Sequence, residues 1–304
     1  MAKHERVSVA EFLSNPYYLG EYGNLAYAPI QEDLELLFDP ARGYQEYVTT
    51  GGLGTGKTYA CSLGVCYALY ELSLMDNPQE ALGVAPDTEI SLTSFSCSED
   101  HAREVVLKTI IAKLSASEYF KENFSFKVTQ CSVKFPNNIV LTARAATTPS
   151  VLGKNTYLAW FDEYDFIKGR ESETMSTARV VYDCVKRRMY SRFGPYGRIF
   201  ISSMKRGADT EMDAFKWAAI FDGKMLVRDR ALWDLHPERF SGETFPVLVG
   251  NARVSSTVLT EEEAKRFAET PIHGCSIIRV PVELYEECKS DPAGTLRDVG
   301  GYAV

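Results

Sequence analysis

No apolar run in this chain is long enough to cross a bilayer as a helix. Its start, Met1-Ala2-Lys3-His4-Glu5-Arg6, lacks the apolar centre of a secretion signal. Histidine is scarce, with four residues among 304 and none within four positions of another, so a structural zinc site is not expected. The seven cysteines are scattered, odd in number and never spaced as CxxC. Cys61 and Cys66 fall where a helix is expected and read as small core residues. Internal repeats and low-complexity stretches are also absent. A formal charge of −8 argues against a chain that coats DNA indiscriminately, yet a local basic surface would suffice for a specific contact. These absences together point to a protein of the cytoplasm.

What is there is the composition of an ordinary globular protein, 45% hydrophobic and 24% charged. Pro29 to Phe38 reads as a short helix opened by its proline, and Gln45 to Thr50 as a strand running into a glycine-rich loop. Thr58 to Leu74 suits a buried helix. The alternation continues with a strand over Glu89 to Phe95 and a helix from Ser98, its cap, to Lys113. Lys127 to Phe135 and Ile139 to Ala143 form a hairpin about Pro136-Asn137-Asn138. Tyr157 to Phe161 is an apolar strand, Met175 to Met189 a helix, and Arg198 to Ile201 another strand. Strands alternating with helices predict an α/β fold, a mostly parallel sheet with helices on both faces. After about residue 210 the texture changes. Phe245 to Val249 and Arg253 to Val258 flank Gly250-Asn251 as a hairpin, Thr260 caps a short helix, and the last residues read as a linker. The expected organisation is a core over 1–210, a small lid subdomain over 211–280, and a linker over 281–304.

The strongest chemical signal is Gly51-Gly52-Leu53-Gly54-Thr55-Gly56-Lys57-Thr58, which fits GxxxxGK[ST]. Its glycines let successive backbone N–H groups turn onto phosphate oxygens. Lys57 would reach the β- and γ-phosphates and the Thr58 hydroxyl a Mg²⁺ ion, with ATP as the expected ligand. The helix that follows would point its positive end at the same phosphates. The second signal is the apolar strand ending in Asp162-Glu163, which brings two carboxylates to the carboxyl edge of the sheet. Asp162 is then suited to the Mg²⁺ shell through water, and Glu163 to orienting and deprotonating the attacking water. Gln31, whose amide both donates and accepts, is a candidate reader of adenine. Ser202 and Ser203, two hydroxyls at the end of a strand, are candidates for coupling the nucleotide to a moving subdomain.

In their order along the chain these pieces resemble the large terminase subunit of tailed bacteriophages. The matching segments are PIQ with Gln31, GGLGTGKT, ISLTSFSCSEDHAREVV, TTPSVLGKNTYLAWFDEYDF, KRRMYSRFG, GRIFISS and PVELYEECKSDPAGTLRDVGG. The resemblance implies a P-loop NTPase of the RecA/ASCE type that hydrolyses ATP to drive double-stranded DNA into a procapsid. It implies a portal protein and a small terminase subunit as partners, a ring on the portal, a monomer in isolation, no membrane, and action in the host cytoplasm. The family's ribonuclease-H-like nuclease would follow residue 304, so the chain reads as an isolated motor domain without nuclease activity. Many relatives carry an arginine in the glycine loop or just before the Asp-Glu strand. Here Gly52, Leu53, Gly54 and Thr55 stand in the loop and Leu152-Gly153-Lys154 before the strand, leaving Arg144, Arg188, Arg192 or a neighbouring subunit to supply that charge. A helicase of the DEAD type shares the glutamine, the loop and the Asp-Glu pair. Against it, the chain shows no second RecA-like domain with a terminal arginine motif.

Overall fold

The computed structural model describes residues 5–147, 153–167, 177–205 and 210–302. By contact the chain divides into two compact units. The first comprises Met1–Val48, Gly56–Ser203 and Phe215–Val227, and the second Thr49–Thr55, Met204–Ala214 and Arg228–Val304.

The main sheet has eight strands: β1 Glu46–Gly51, β2 Ile90–Ser96, β3 Lys127–Val128, β4 Ser132–Phe135, β5 Ile139–Ala145, β6 Thr156–Asp162, β7 Arg198–Ser203 and β8 Met225–Arg230. Their order is β3-β4-β5-β2-β6-β7-β1-β8. The pairs β5–β2, β2–β6 and β6–β7 are parallel, and β4 runs antiparallel to β3 and β5. The α/β class read from the sequence is thus the observed one. All seven residues of β6 are buried, as an unbroken apolar strand between two parallel neighbours must be.

Alternation along the strands builds two covered faces. Trp160 pairs in register with Phe200, and against that face packs helix Lys57–Ser73, where a Cβ on Gly64 would stand 2.9 Å from the Phe200 ring. On the opposite face Phe161 stacks on Phe95 at 5.0 Å and meets Tyr182 of helix Thr177–Phe193 at 6.2 Å. The expected helix from Met175 is described only from Thr177. The helix after β2 is capped by Ser98, as read, but it is not uniform. Glu99–His101 is α-helical, Ala102–Leu107 is a π turn, and Lys108–Ala116 is α-helical again. The hairpin between β4 and β5 turns at Asn137 and Asn138, both at positive φ.

In the second unit β9 Thr244–Val249, β10 Thr257–Val258 and β11 Ser276–Pro281 form an antiparallel sheet of order β10-β9-β11. The hairpin expected about Gly250-Asn251 forms, but its return strand is shorter than the sequence suggested. Residues 253–256 stay outside the ladder. Thr260 and Glu263 make a reciprocal capping box on helix Glu261–Glu269. Where the sequence reads as linker, the structure has helices Tyr285–Ser290 and Pro292–Asp298. Leu296 of the latter is fully buried in a cluster with Phe245, Val247 and Val280.

Candidate active site

The glycine loop leaves the end of β1 in the second unit and enters helix Lys57–Ser73 in the first. Gly51, Gly54 and Gly56 all hold positive φ, which side-chain-bearing residues rarely adopt. Within the second unit, a Cβ on Gly51 would lie 1.9 Å from the Arg230 carbonyl oxygen, and one on Gly52 2.2 Å from that of Val299. The Gly52 N–H donates to the Arg230 carbonyl at 3.2 Å, and the Leu53 N–H to the Asp298 carbonyl at 2.5 Å. Thr55 closes the turn by donating its hydroxyl to the Gly52 carbonyl at 2.7 Å. Leu53 itself is 55% exposed. Two of the loop's N–H groups therefore already serve the backbone, a division of labour that the sequence motif alone does not indicate.

Within the first unit, Gly56 caps helix Lys57–Ser73 in the left-handed conformation and packs against the start of helix Ala28–Phe38. A Cβ there would stand 2.8 Å from the Ile30 side chain and 3.5 Å from the Tyr27 ring. Gln31 follows on that helix, half-buried, its amide nitrogen donating to the Ala26 carbonyl at 3.1 Å and the Gly23 carbonyl at 3.4 Å.

Thr58, Asp162 and Ser202 converge. Asp162 is 1% exposed, and its Oδ1 accepts from the Thr58 hydroxyl at 3.0 Å and the Ser202 hydroxyl at 2.7 Å. Ser202 in turn accepts from the Trp160 indole N–H at 2.8 Å. The register that pairs Asp162 with Ser202 across β6 and β7 makes this junction possible. Asp162 Oδ2 is buried and makes no hydrogen bond; His101 stands beside it, with Nδ1 at 3.9 Å. Burial pushes the Asp162 carboxyl above its ordinary value. Bonds from Ser202 and Thr58, and the charges of His101 and Lys57, pull the other way. Cys61, fully buried behind this junction, has its thiol pushed well above its ordinary value by burial and by the Asp162 charge.

Glu163 ends the strand at φ 54° and ψ 49°, the left-handed region, and is half-buried. A non-glycine residue held there costs roughly 1–3 kcal/mol, and such strain gathers at functional sites. The turn that holds it is tied down. Phe166 N–H donates to the Glu163 carbonyl at 2.9 Å, and Asp165 N–H donates to the Ser203 hydroxyl at 3.1 Å.

The structure thus brings Lys57, Thr58, Asp162, Glu163, Ser202 and Ser203 together at the carboxyl edge of the sheet. Arg144, near the end of β5, lies at the same edge. Arg188 and Arg192 fall in the last turns of a helix that leads back to the start of β7, at the opposite edge. Sequence reasoning passed over Ser96 and His101. The only signal was a polar strand end, Ser96-Cys97-Ser98, at the shared edge. A large cavity of about 1080 Å³ lies elsewhere, at the amino edge of the sheet by Phe38, Tyr44, Leu74, Tyr157 and Arg198. Its size is no guide to the chemistry here.

A buried carboxylate oxygen with no hydrogen bond and a threonine hydroxyl whose lone pairs remain after it donates are both hard oxygen donors, the kind Mg²⁺ takes. The residues fit.

A parallel α/β sheet with a glycine loop between its first strand and the helix that follows defines a P-loop domain. The family model described as "Uncharacterized protein MJ0330, N-terminal P-loop domain" matches residues 11–247, and the chain belongs to that family. Among solved structures, the large terminase of bacteriophage HK97 is similar at 13% identity and a TM-score of 0.56. That match covers 100% of this chain and 56% of the terminase. The large terminase of a thermophilic bacteriophage is similar at 11% identity and a TM-score of 0.53, covering 91% of this chain and 53% of that one. The likeness is one of fold, and the chain spans about half the length of each of these terminases. No curated protein matches.

Proposed function

We propose that this chain is the ATPase motor domain of a terminase-type large subunit, hydrolysing ATP to move double-stranded DNA. The observation that carries the proposal is the junction of Thr58, Asp162 and Ser202 with one carboxylate oxygen left without a hydrogen bond, next to a strained Glu163. In this reading the residues Gly51, Gly52, Leu53, Gly54, Thr55, Gly56, Lys57 and Thr58 form the ATP-binding loop, and Gln31 reads the adenine once its amide nitrogen turns from the Ala26 and Gly23 carbonyls. Thr58 and Asp162 would hold Mg²⁺, which supplies charge neutralisation on the phosphates when bound. Lys57 adds its positive charge to the β- and γ-phosphates.

Glu163 accepts a proton from the attacking water as the water oxygen bonds to the γ-phosphorus. The bond from that phosphorus to the bridging oxygen breaks, and ADP departs with the electron pair. Ser202 and Ser203, bonded to the Asp162 and Glu163 segment, couple its state to the residues beyond β7. The fold shared with phage terminases supports double-stranded DNA, a portal protein and a small terminase subunit as partners. It equally supports a ring on the portal, with a monomer expected in isolation.

Glu163→Gln tests the core of this proposal. The amide keeps the shape but cannot take the proton, so ATP should still bind while turnover falls roughly 10² to 10⁴-fold, the usual contribution of a general base. Binding and turnover lost together would make Glu163 a structural residue.

A further inference from the structure

Beside the Asp162 junction stands a second polar pair, on β2 and the helix that follows. Ser96 is fully buried at the end of β2, and its hydroxyl is hydrogen-bonded to His101 Nδ1 at 2.8 Å. The same ring nitrogen lies 3.9 Å from Asp162 Oδ2, the buried oxygen that makes no hydrogen bond.

The backbone around His101 is held from several sides. Its N–H donates to the Ser98 hydroxyl at 3.1 Å, and Glu99 accepts from the Ala145 N–H at the end of β5, also at 3.1 Å. Immediately after His101 the helix widens into the π turn Ala102–Leu107. Such turns cost hydrogen-bond geometry and recur at functional sites. A histidine serving only as a solvated helix residue would need neither the serine nor this support.

We propose that Ser96 and His101 form a brace that positions the metal-side oxygen of Asp162, an inference that rests on the nucleotide-site reading above. Thr58 and Ser202 fix one carboxylate oxygen, and the imidazole, steadied by Ser96, bounds the other. In the tautomer with Nδ1 protonated, Ser96 Oγ accepts from that N–H, and a small rotation of the ring shares the same proton with Oδ2, or with a water that Oδ2 holds, closing the 3.9 Å gap. His101 acts through Asp162 and is a positioning residue; it takes no proton in the reaction.

The test uses the full chain and a fluorescent, slowly hydrolysed ATP analogue, titrated in Mg²⁺ and separately in EDTA. Partners behind a metal ligand typically change metal affinity 10- to 100-fold. With the ring 3.9 Å away, His101→Ala should raise the Mg²⁺ concentration for half-maximal binding about tenfold. Affinity in EDTA should stay within about twofold, because no phosphate-binding group has been touched. Ser96→Ala should reproduce this shift in weaker form. His101→Asn, whose amide reaches the Nδ1 position, should restore the Mg²⁺ requirement to within about threefold of the parent. An unchanged Mg²⁺ requirement in both His101→Ala and Ser96→Ala overturns the brace. So does an equal loss with and without Mg²⁺, which marks a structural lesion. A parent protein whose nucleotide binding ignores Mg²⁺ overturns the nucleotide-site reading itself, and the brace with it.

Discussion

Removing the hydroxyl of Ser202 should cost the fold more than removing that of Ser203, although the two end one strand and look equivalent in the sequence. Ser202 donates to the Asp162 carboxylate at 2.7 Å and accepts from the fully buried Trp160 indole at 2.8 Å. Ser203 accepts the backbone N–H of Asp165 at 3.1 Å. Ser202→Ala therefore removes a hydrogen bond to a charged group, worth about 1.5–3 kcal/mol, and strands a buried N–H at about 1–3 kcal/mol. The two share one hydroxyl and do not add in full, so a loss of roughly 2–4 kcal/mol is expected. The Ser203 bond to Asp165 is a neutral one, and its loss in Ser203→Ala should cost roughly 0.5–1.5 kcal/mol. At about 2 °C per kcal/mol for a chain of this length, the melting temperature should fall by roughly 4–8 °C for Ser202→Ala and roughly 1–3 °C for Ser203→Ala. Thermal unfolding of the two single variants, followed by circular dichroism without nucleotide, reads the difference directly. A fall of less than about 2 °C for Ser202→Ala would refute the reasoning, because the Trp160–Ser202–Asp162 chain would then not hold in solution.

Lys57→Ala should abolish ATP hydrolysis, since the loop loses its only side-chain cation; near-normal turnover in a phosphate-release assay would remove the loop from the mechanism. Gln31→Ala should weaken ATP binding more than it slows turnover and blunt discrimination against GTP, measured by competition between the two nucleotides. Asp162→Asn should stabilise the nucleotide-free protein near neutral pH while removing Mg²⁺-dependent binding. Burial raises this carboxyl above its ordinary 3.8, so stability is fully present below that value and lost as pH rises through the folded one. The advantage of the asparagine variant should accordingly vanish in acid, and a constant offset in melting temperature across pH would count against a buried carboxylate.

How much of this was legible depended on how local each signal was. β6 and the glycine loop could be read because each carries its meaning in consecutive residues, an unbroken apolar run ending in carboxylates and glycines at fixed offsets. The bonding of Ser202 could not, since its partners Asp162 and Trp160 are fixed only by the β6–β7 register. His101 was missed because a single serine five residues before it is no signal by itself, and its other neighbour, Asp162, is brought near only by the sheet. The segment 281–304, read as a linker in part because it contains Asp291-Pro292, was misleading in another way. A residue pair that starts a turn also starts a helix, with Asp291 accepting from the Gly294 N–H and Pro292 in the first turn. What decides is Leu296, whose burial against β9 and β11 the local sequence does not reveal. The π turn after His101 is likewise invisible to a periodicity of 3.6.

Asp162 and Glu163 are adjacent, and strand alternation would send their side chains to opposite faces of the sheet. The left-handed turn at Glu163 ends the alternation at that residue, which is what its backbone strain achieves. It also divides their environments. Asp162 remains inside, 1% exposed and bonded to two hydroxyls, while Glu163 is only half-buried at the mouth of the turn. Paired acids set apart in this way can take separate roles, one fixed toward a cation and one able to exchange a proton with water. The Ser203–Asp165 bond fastens that turn and the Ser202–Asp162 bond fastens the strand end before it, so both halves of the division hang on β7. In the mechanism proposed above, β7 is the element through which a movement would be felt by both carboxylates.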